Sequence, residues 1–192
     1  MKIILASKSP RRKEILEAMG VGFEIDVADV DERVSDTLSP VEAVCEISER
    51  KAKAVSQRHE GEDCIVISAD TVVVIDGRII GKPKDAEDAF NILKSLSGRT
   101  HEVYTGFTVC SEGKSKTDFE VTKVHFKQLC DDDIRRYIAT GEPMDKAGAY
   151  GIQQKGNLFV DYIHGDYYNV VGFPISKICV TIKELFGINI LY

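Results

Sequence analysis

The sequence predicts an α/β protein with a mixed β-sheet and flanking helices. Short apolar runs alternate with helix-period segments in the first third of the chain. The middle turns strand-rich around an Asp-Gly hairpin signal, and a last helical segment closes the chain. Alternation argues for parallel strands, whereas the hairpin-rich middle argues against a pure doubly wound sheet. No repeat, low-complexity stretch or linker interrupts residues 1–192, so a single domain is expected.

In chain order, Ile3 to Ala6 reads as a buried strand. Ser9 and Pro10 open a helix, as N-cap and first helical residue, with Ile15, Leu16 and Met19 inward and Gly20 ending it. Phe23 to Val27 is a second strand. Ser39-Pro40-Val41-Glu42 is a capping box opening a long helix carried by Val44, Ile47, Ala54 and Val55. Cys64 to Ser68 is another buried strand, and Thr71 to Ile75 with Arg78 to Ile80 flank the Asp76-Gly77 turn. Asp85 caps a helix facing inward with Phe90, Leu93 and Leu96 and closed by Gly98. Glu102 to Cys110 and Phe119 to Phe126 are antiparallel strands around a turn at 111–114, followed by a helix from Asp131 to Thr140 stopped by Gly141. Ala149 to Gln153 and Leu158 to Ile163 are strand candidates, and Pro174 to Phe186 is the final helix.

Composition sets limits on function. The net charge of −6 argues against a broad field for nucleic acid or anionic lipid, so an anionic ligand needs a local cation cluster. The five cysteines, Cys45, Cys64, Cys110, Cys130 and Cys179, are odd in number and lack zinc-knuckle spacing. They read as reduced thiols, several in the core, which suggests a reducing compartment. No apolar run approaches the roughly 20 residues of a membrane span, and the first apolar run is too short for a signal-peptide core. A soluble, cytoplasmic protein is expected. His59, His101, His125 and His164 show no metal-ligand spacing, and no Ser-His-Asp or Cys-His order supports covalent catalysis.

Several segments carry candidate chemistry. Ser7-Lys8-Ser9-Pro10-Arg11-Arg12-Lys13 follows a strand and opens a helix. Cations in a first helical turn are unfavourable by about 0.3–1 kcal/mol each. A bound phosphate chain would reverse that sign, accepting from helix N–H groups and guanidinium forks together; the other reading is a solvated basic turn. The segment is not a Walker loop. Asp70 lies inside the apolar run Ile67 to Val74. It must pair with a cation, bind a metal, cap something or sit at a strand end facing a cleft, because a buried charge without a partner is costly; a turn aspartate between two strands is the alternative. Lys82, in Gly81-Lys82-Pro83-Lys84, reaches a phosphate or is a solvated loop lysine. Of the acidic run Asp26, Asp29, Asp31 and Glu32, Asp31 or Glu32 could join Asp70 on magnesium or manganese, or the run is a solvated loop. Gln153 closes the small-residue segment from Asp145 and suits the edge of a base, or is a surface glutamine on a glycine-rich turn. The segment Gly165 to Pro174 reads as mainly structural.

Together and in this order, these segments resemble the Maf family of nucleotide pyrophosphatases. The resemblance runs from Leu5-Ala6-Ser7-Lys8-Ser9-Pro10-Arg11-Arg12 through Ser68-Ala69-Asp70-Thr71, Gly81-Lys82-Pro83 and 97–106 to Gly165-Asp166-Tyr167-Tyr168-Asn169-Val170-Val171-Gly172. It implies a bent mixed sheet and two lobes around a cleft, similar to inosine triphosphate pyrophosphatases. It also implies a divalent metal, magnesium or manganese, and often a homodimer. It implies Asp70 as catalytic base and associates Arg11, Thr71 and Gln153 with substrate choice. Ala147 to Gln153 looks like the branch acting on dTTP and UTP. The expected site has Arg11, Arg12, Ser7 and Ser9 clamping the phosphates, Lys51 and Lys82 adding cations, and Asp70 with Glu32 holding the metal. Lys51 also reads as an exposed helix lysine. The expected reaction is hydrolysis of a nucleoside triphosphate to monophosphate and pyrophosphate. Modified or 7-methylated purine nucleotides and a nucleotide-binding regulator are competing readings, and nucleic-acid binding is least favoured.

Overall fold

The computed structural model describes residues 1–35 and 37–191. The chain forms two compact units: Met1–Asp70 with Thr105–Glu120 and Gly172–Tyr192, and Thr71–Tyr104 with Val121–Val171. Among the described residues seven strands form the sheet: β1 (Lys2–Leu5), β2 (Glu24–Ile25), β3 (Cys64–Ile75), β4 (Arg78–Ile80), β5 (Thr100–Ser111), β6 (Lys114–Phe126) and β7 (Val160–His164). The order is β2-β1-β3-β5-β6-β7, with β4 on β3. β1 lies parallel to β2 and β3, whereas β3–β4 and β6–β7 are antiparallel, so the sheet is mixed as expected.

In the first unit, α1 (Pro10–Ala18) buries Ile15 and Leu16, and Gly20 follows it at φ 71°. α2 (Pro40–Ser56) starts on the expected capping box: the Ser39 hydroxyl accepts from the Glu42 N–H, and the Glu42 carboxylate accepts from the Ser39 N–H. Such a cap stabilises a helix by about 1 kcal/mol. The inward face of α2 is Ala43, Val44, Ile47, Ser48, Ala52 and Val55. Ala52 rather than Ala54 faces inward, because the 3.6-residue period places it below Ser48. A core cluster joins Ile4, Ala6, Ala52, Val55, Cys64, Val66 and Cys110. All five cysteines are free thiols, and burial raises the pKa of Cys64 and Cys110. The unit is completed by α6 (Ile175–Phe186), ended by Gly187 at φ 72°.

The second unit packs α3 (Ala86–Leu96) and α4 (Asp131–Ile138) over a core of Val73, Leu93, Leu96, Val103, Val124, Phe126, Ile134 and Phe159. The Asp85 side chain caps α3 by accepting from the Asp88 N–H. The hairpin forms as expected, with Asp76 and Gly77 both at positive φ (52° and 72°), the twist a two-residue turn requires.

Three expectations change. The strand carrying Asp70 does not break: β3 runs unbroken from Cys64 to Ile75, pairing β1 over its first part and β4 over its last, so the two strands read from the sequence are one. The segment 149–153 is not a strand, because Gly148 and Ala149 at φ 69° and 58° turn the backbone left-handed. A short helix, α5 (Tyr167–Val171), lies where none was expected. It buries Asn169, whose side-chain amide donates to the Val103 carbonyl and the Thr122 hydroxyl, each at 3.0 Å. No helix among the described residues is long and apolar enough to cross a membrane.

Candidate active site

Strand register assembles the site. β1 and β3 are parallel with Leu5 opposite Ile67, and the Ala6 N–H donates to the Ile67 carbonyl. Ser7 to Arg12 therefore leave the end of β1 beside Ser68 to Asp70, where β3 continues past its parallel partner. That edge is the usual ligand-facing edge of an α/β sheet.

The helix start at this edge has no side-chain cap. Ser9 holds the N-cap position without a side-chain cap bond, and no acidic residue lies in the first turn. The Ser7 hydroxyl accepts from the Ser9 N–H (3.2 Å) and from Arg12. Arg12 is anchored three ways: Nη1 donates to Ser7 Oγ (3.0 Å) and the Ala69 carbonyl (2.7 Å), and Nε to the Gly172 carbonyl (2.8 Å). Burial lowers its pKa to about 10, opposed by the nearby Asp70 and Glu32 carboxylates and helped by Arg11. It stays charged at neutral pH, and its bond to the Ala69 carbonyl sets it next to Asp70, which Lys51 links to Glu32.

Arg12→Lys is expected to melt lower than the parent. An ammonium cannot span the acceptors that the planar fork reaches, and each buried carbonyl left unpaired costs about 1–3 kcal/mol. A net loss of about 2 kcal/mol corresponds to a fall in Tm of roughly 4–8 °C for a chain of this size. A ligand-free thermal melt superimposing on the parent would remove the anchoring role.

Lys51 lies between two carboxylates. Its Nζ is 2.8 Å from Asp70 Oδ1 and 2.8 Å from Glu32 Oε1. Lys51 and Asp70 side chains are only 14% and 16% exposed, so this is a largely desolvated pair rather than a surface ion pair, and Asp70 answers its burial with a cation partner. The plain reading of Lys51 as an exposed helix lysine is thereby set aside. Its helix is held in place by hydroxyls: Ser68 Oγ donates to the Ser48 carbonyl (2.5 Å), and the Ser48 and Thr108 hydroxyls are 3.0 Å apart. Ser48 lies one turn before Lys51, and Ser68 two residues before Asp70, so one buried bond ties both charged residues to a common frame.

Thr71, Lys82 and Gln153 belong to the second unit. Thr71 follows Asp70 in β3, half-buried. Lys82 is exposed in the loop after β4, next to Gly81, whose carbonyl accepts from the Gly148 N–H (3.1 Å). A Cβ on Gly148 would meet Val73 Cγ2 at 2.8 Å, so this close approach requires glycine. The Lys82 loop and the segment leading to Gln153 are thus joined. Gln153 is exposed.

The structure adds partners that local sequence patterns did not single out. Gly172, read as part of a structural segment, supplies a carbonyl to Arg12 across 160 residues. Ser48 and Ser68 are polar residues inside apolar faces; that mismatch was the available signal for a buried bond. Among the described residues no group of three or more His, Cys, Asp or Glu is placed to hold a metal ion.

Fold and site define an α/β protein with a cation-rich helix start and a desolvated carboxylate at one edge of parallel strands, a layout suited to an anion. Residues 2–185 match the family described as Maf-like protein. The chain belongs to that family, as the sequence resemblance anticipated. It is 53% identical over 192 residues to a protein of Alkaliphilus oremlandii named dTTP/UTP pyrophosphatase, covering 99% of each chain. It is 51% identical over 183 residues to one of the same name from Bacillus cytotoxicus, covering 95% of each. Among solved structures, a HAM1 protein from Coxiella burnetii matches at TM-score 0.49 and 14% identity, over 96% of this chain and 99% of that one.

Proposed function

We propose that this protein hydrolyses dTTP and UTP to the monophosphate and pyrophosphate. Full-length relatives at about half identity carry that activity in their names. The observation that carries the chemistry is the Lys51–Asp70 pair beside the arginine-bearing helix start, where Arg12 bonds the Ala69 carbonyl next to Asp70. In the reaction, a water oxygen bonds to the α-phosphorus and the bond from that phosphorus to the α–β bridging oxygen breaks. Pyrophosphate leaves with the bonding electrons, and the water proton passes to the Asp70 carboxylate. Arg11, Arg12 and the backbone N–H groups of the first turn of α1 hold the phosphates, with Ser9 at the N-cap, Ser7 fixing the Arg12 fork and Lys51 and Lys82 adding positive charge. Thr71 and Gln153 bear on substrate choice, with Gln153 reading the base. Most of the rate comes from positioning and charge neutralisation.

The donor set fits a hard divalent cation: two carboxylates, Asp70 and Glu32, converge on one ammonium, and magnesium prefers one or two carboxylates completed by phosphate oxygens. Asp70 and Glu32 would hold magnesium or manganese, which supplies charge neutralisation on the phosphate oxygens.

A panel of triphosphates, assayed with magnesium and with manganese and resolving pyrophosphate from orthophosphate, tests the reading. Turnover of dTTP and UTP with pyrophosphate as the product is expected. Tight binding of dTTP without metal-dependent turnover would instead favour a regulatory binder, and preferential turnover of methylated purine nucleotides would reassign the substrate. Gln153→Ala is expected to reduce the preference for dTTP over dGTP by about tenfold, the usual weight of a buried polar contact to a ligand. Unchanged selectivity in the panel would remove Gln153 as the base reader.

A further inference from the structure

Gln153 is exposed at the tip of a loop, and an exposed side chain reads a base selectively only if its backbone is already in place. The loop closes at its neck. A Cβ on Gly156 would meet the Gly151 carbonyl oxygen at 2.8 Å and its nitrogen at 2.9 Å, so only glycine permits this approach. Beneath the neck lies one carboxylate. Glu142 Oε1 accepts from the Gly156 N–H (3.2 Å) and the Tyr137 hydroxyl (2.9 Å), and Oε2 accepts from the Lys155 N–H (3.3 Å). The Tyr137 oxygen accepts in turn from the Gly151 N–H (3.3 Å). Both ends of the loop thus hang from Glu142, one directly and one through a phenol. Burial, and then the Glu142 bond, raises the Tyr137 pKa, so the hydroxyl stays protonated and keeps donating.

The approach to the neck is anchored as well. Lys146, itself buried, donates from Nζ to the Glu142 carbonyl (2.6 Å) and pairs with Asp145 (2.7 Å). The Tyr150 hydroxyl is 2.8 Å from Nε2 of the buried His101. Burial, with a smaller contribution from His125, lowers the His101 pKa to about 4, so the ring is neutral at physiological pH.

We propose that Glu142 is a positioning residue for base recognition, holding the loop 151–156 in the conformation that presents Gln153, with Tyr137 as its relay to Gly151. The inference rests on Gln153 reading the base. Glu142 touches no substrate; it acts through the loop. A carboxylate suits the role because it offers acceptors to three donors at once, whereas a neutral amide presents a donor edge to one of them.

The test is a cycle of Glu142→Gln, Gln153→Ala and the double variant, with kcat and KM measured on dTTP and dGTP and a thermal melt of each protein. Glu142→Gln is expected to raise the KM for dTTP about tenfold, with kcat nearly unchanged and the preference over dGTP correspondingly reduced, the scale of losing a charge-assisted hydrogen bond. In the Gln153→Ala background the same change should shift selectivity no further, because both act on one contact. A merely structural role predicts a lower melt with selectivity intact, and that result overturns the proposal. Equal, additive losses in both backgrounds overturn it too. If Gln153→Ala itself leaves selectivity unchanged, the base-reading role fails first. If Gln153→Ala alters selectivity and Glu142→Gln does not, only the positioning role fails. Should Glu142→Gln not fold, Tyr137→Phe removes the relay to Gly151 and is read by the same criteria.

Discussion

Asp70→Asn is expected to lower pyrophosphate release from dTTP by about 10²–10⁴-fold, the range for removing a general base. Asparagine keeps the shape of the side chain but accepts no proton at neutral pH and binds a divalent cation poorly. The fold should survive, because Lys51 keeps Glu32 at 2.8 Å and is not left as an isolated buried charge. A melt close to the parent beside lost turnover separates chemistry from folding. A folded variant with parental turnover would strike Asp70 from the mechanism, and with it the water-activation step.

Gly106→Ala, far from Asp70 in sequence, is expected to be nearly as damaging by another route. Gly106 is buried in β5, and a Cβ there would lie 2.5 Å from the carbonyl carbon and oxygen of Val44 and 2.7 Å from the Cys45 nitrogen. These are backbone atoms of α2, which cannot rotate aside as a side chain can. Overpacking of this kind costs about 3 kcal/mol, near the top of its usual range, which for this size of chain is a fall in Tm of roughly 6–12 °C. To relieve the clash α2 must lift, and α2 carries Ser48 and Lys51. The Ser68–Ser48 bond and the Lys51–Asp70 pair should then loosen together, so activity falls at temperatures where the protein is still folded. A variant with unchanged melt and unchanged turnover would show that the seat of α2 on β5 does not control the site.

The two variants divide the site by what was legible in the sequence. Asp70 stood out because a carboxylate inside an apolar run needs a partner, and the arginine-rich helix start stood out because its charges oppose the helix dipole. Both arguments are local: Asp70 has a cation partner in Lys51, and the two arginines lie in the first turn of α1. The capping box of α2, the Asp76-Gly77 hairpin and the glycine after α1 were equally readable, since backbone conformation and capping are set by a few neighbouring residues. The continuity of β3 through Asp70 was not, because an isolated acid reads as a turn until pairing on both sides keeps the strand extended. The segment 149–153 was misread as a strand because its apolar residues are buried by left-handed turns, which leave no period in the sequence.

By itself the sequence determined the kinds of element, their order, the mixed character of the sheet, and the charged groups that oppose their local surroundings. Only tertiary structure decided the partners: Lys51 for Asp70 and Glu32, the Gly172 carbonyl for Arg12, Glu142 beneath the Gln153 loop. The physical reason is range. Propensity, capping and turn geometry act over a few residues, whereas a desolvated charge or an unpaired buried carbonyl is satisfied by whichever group the fold brings within hydrogen-bond distance, at any separation along the chain.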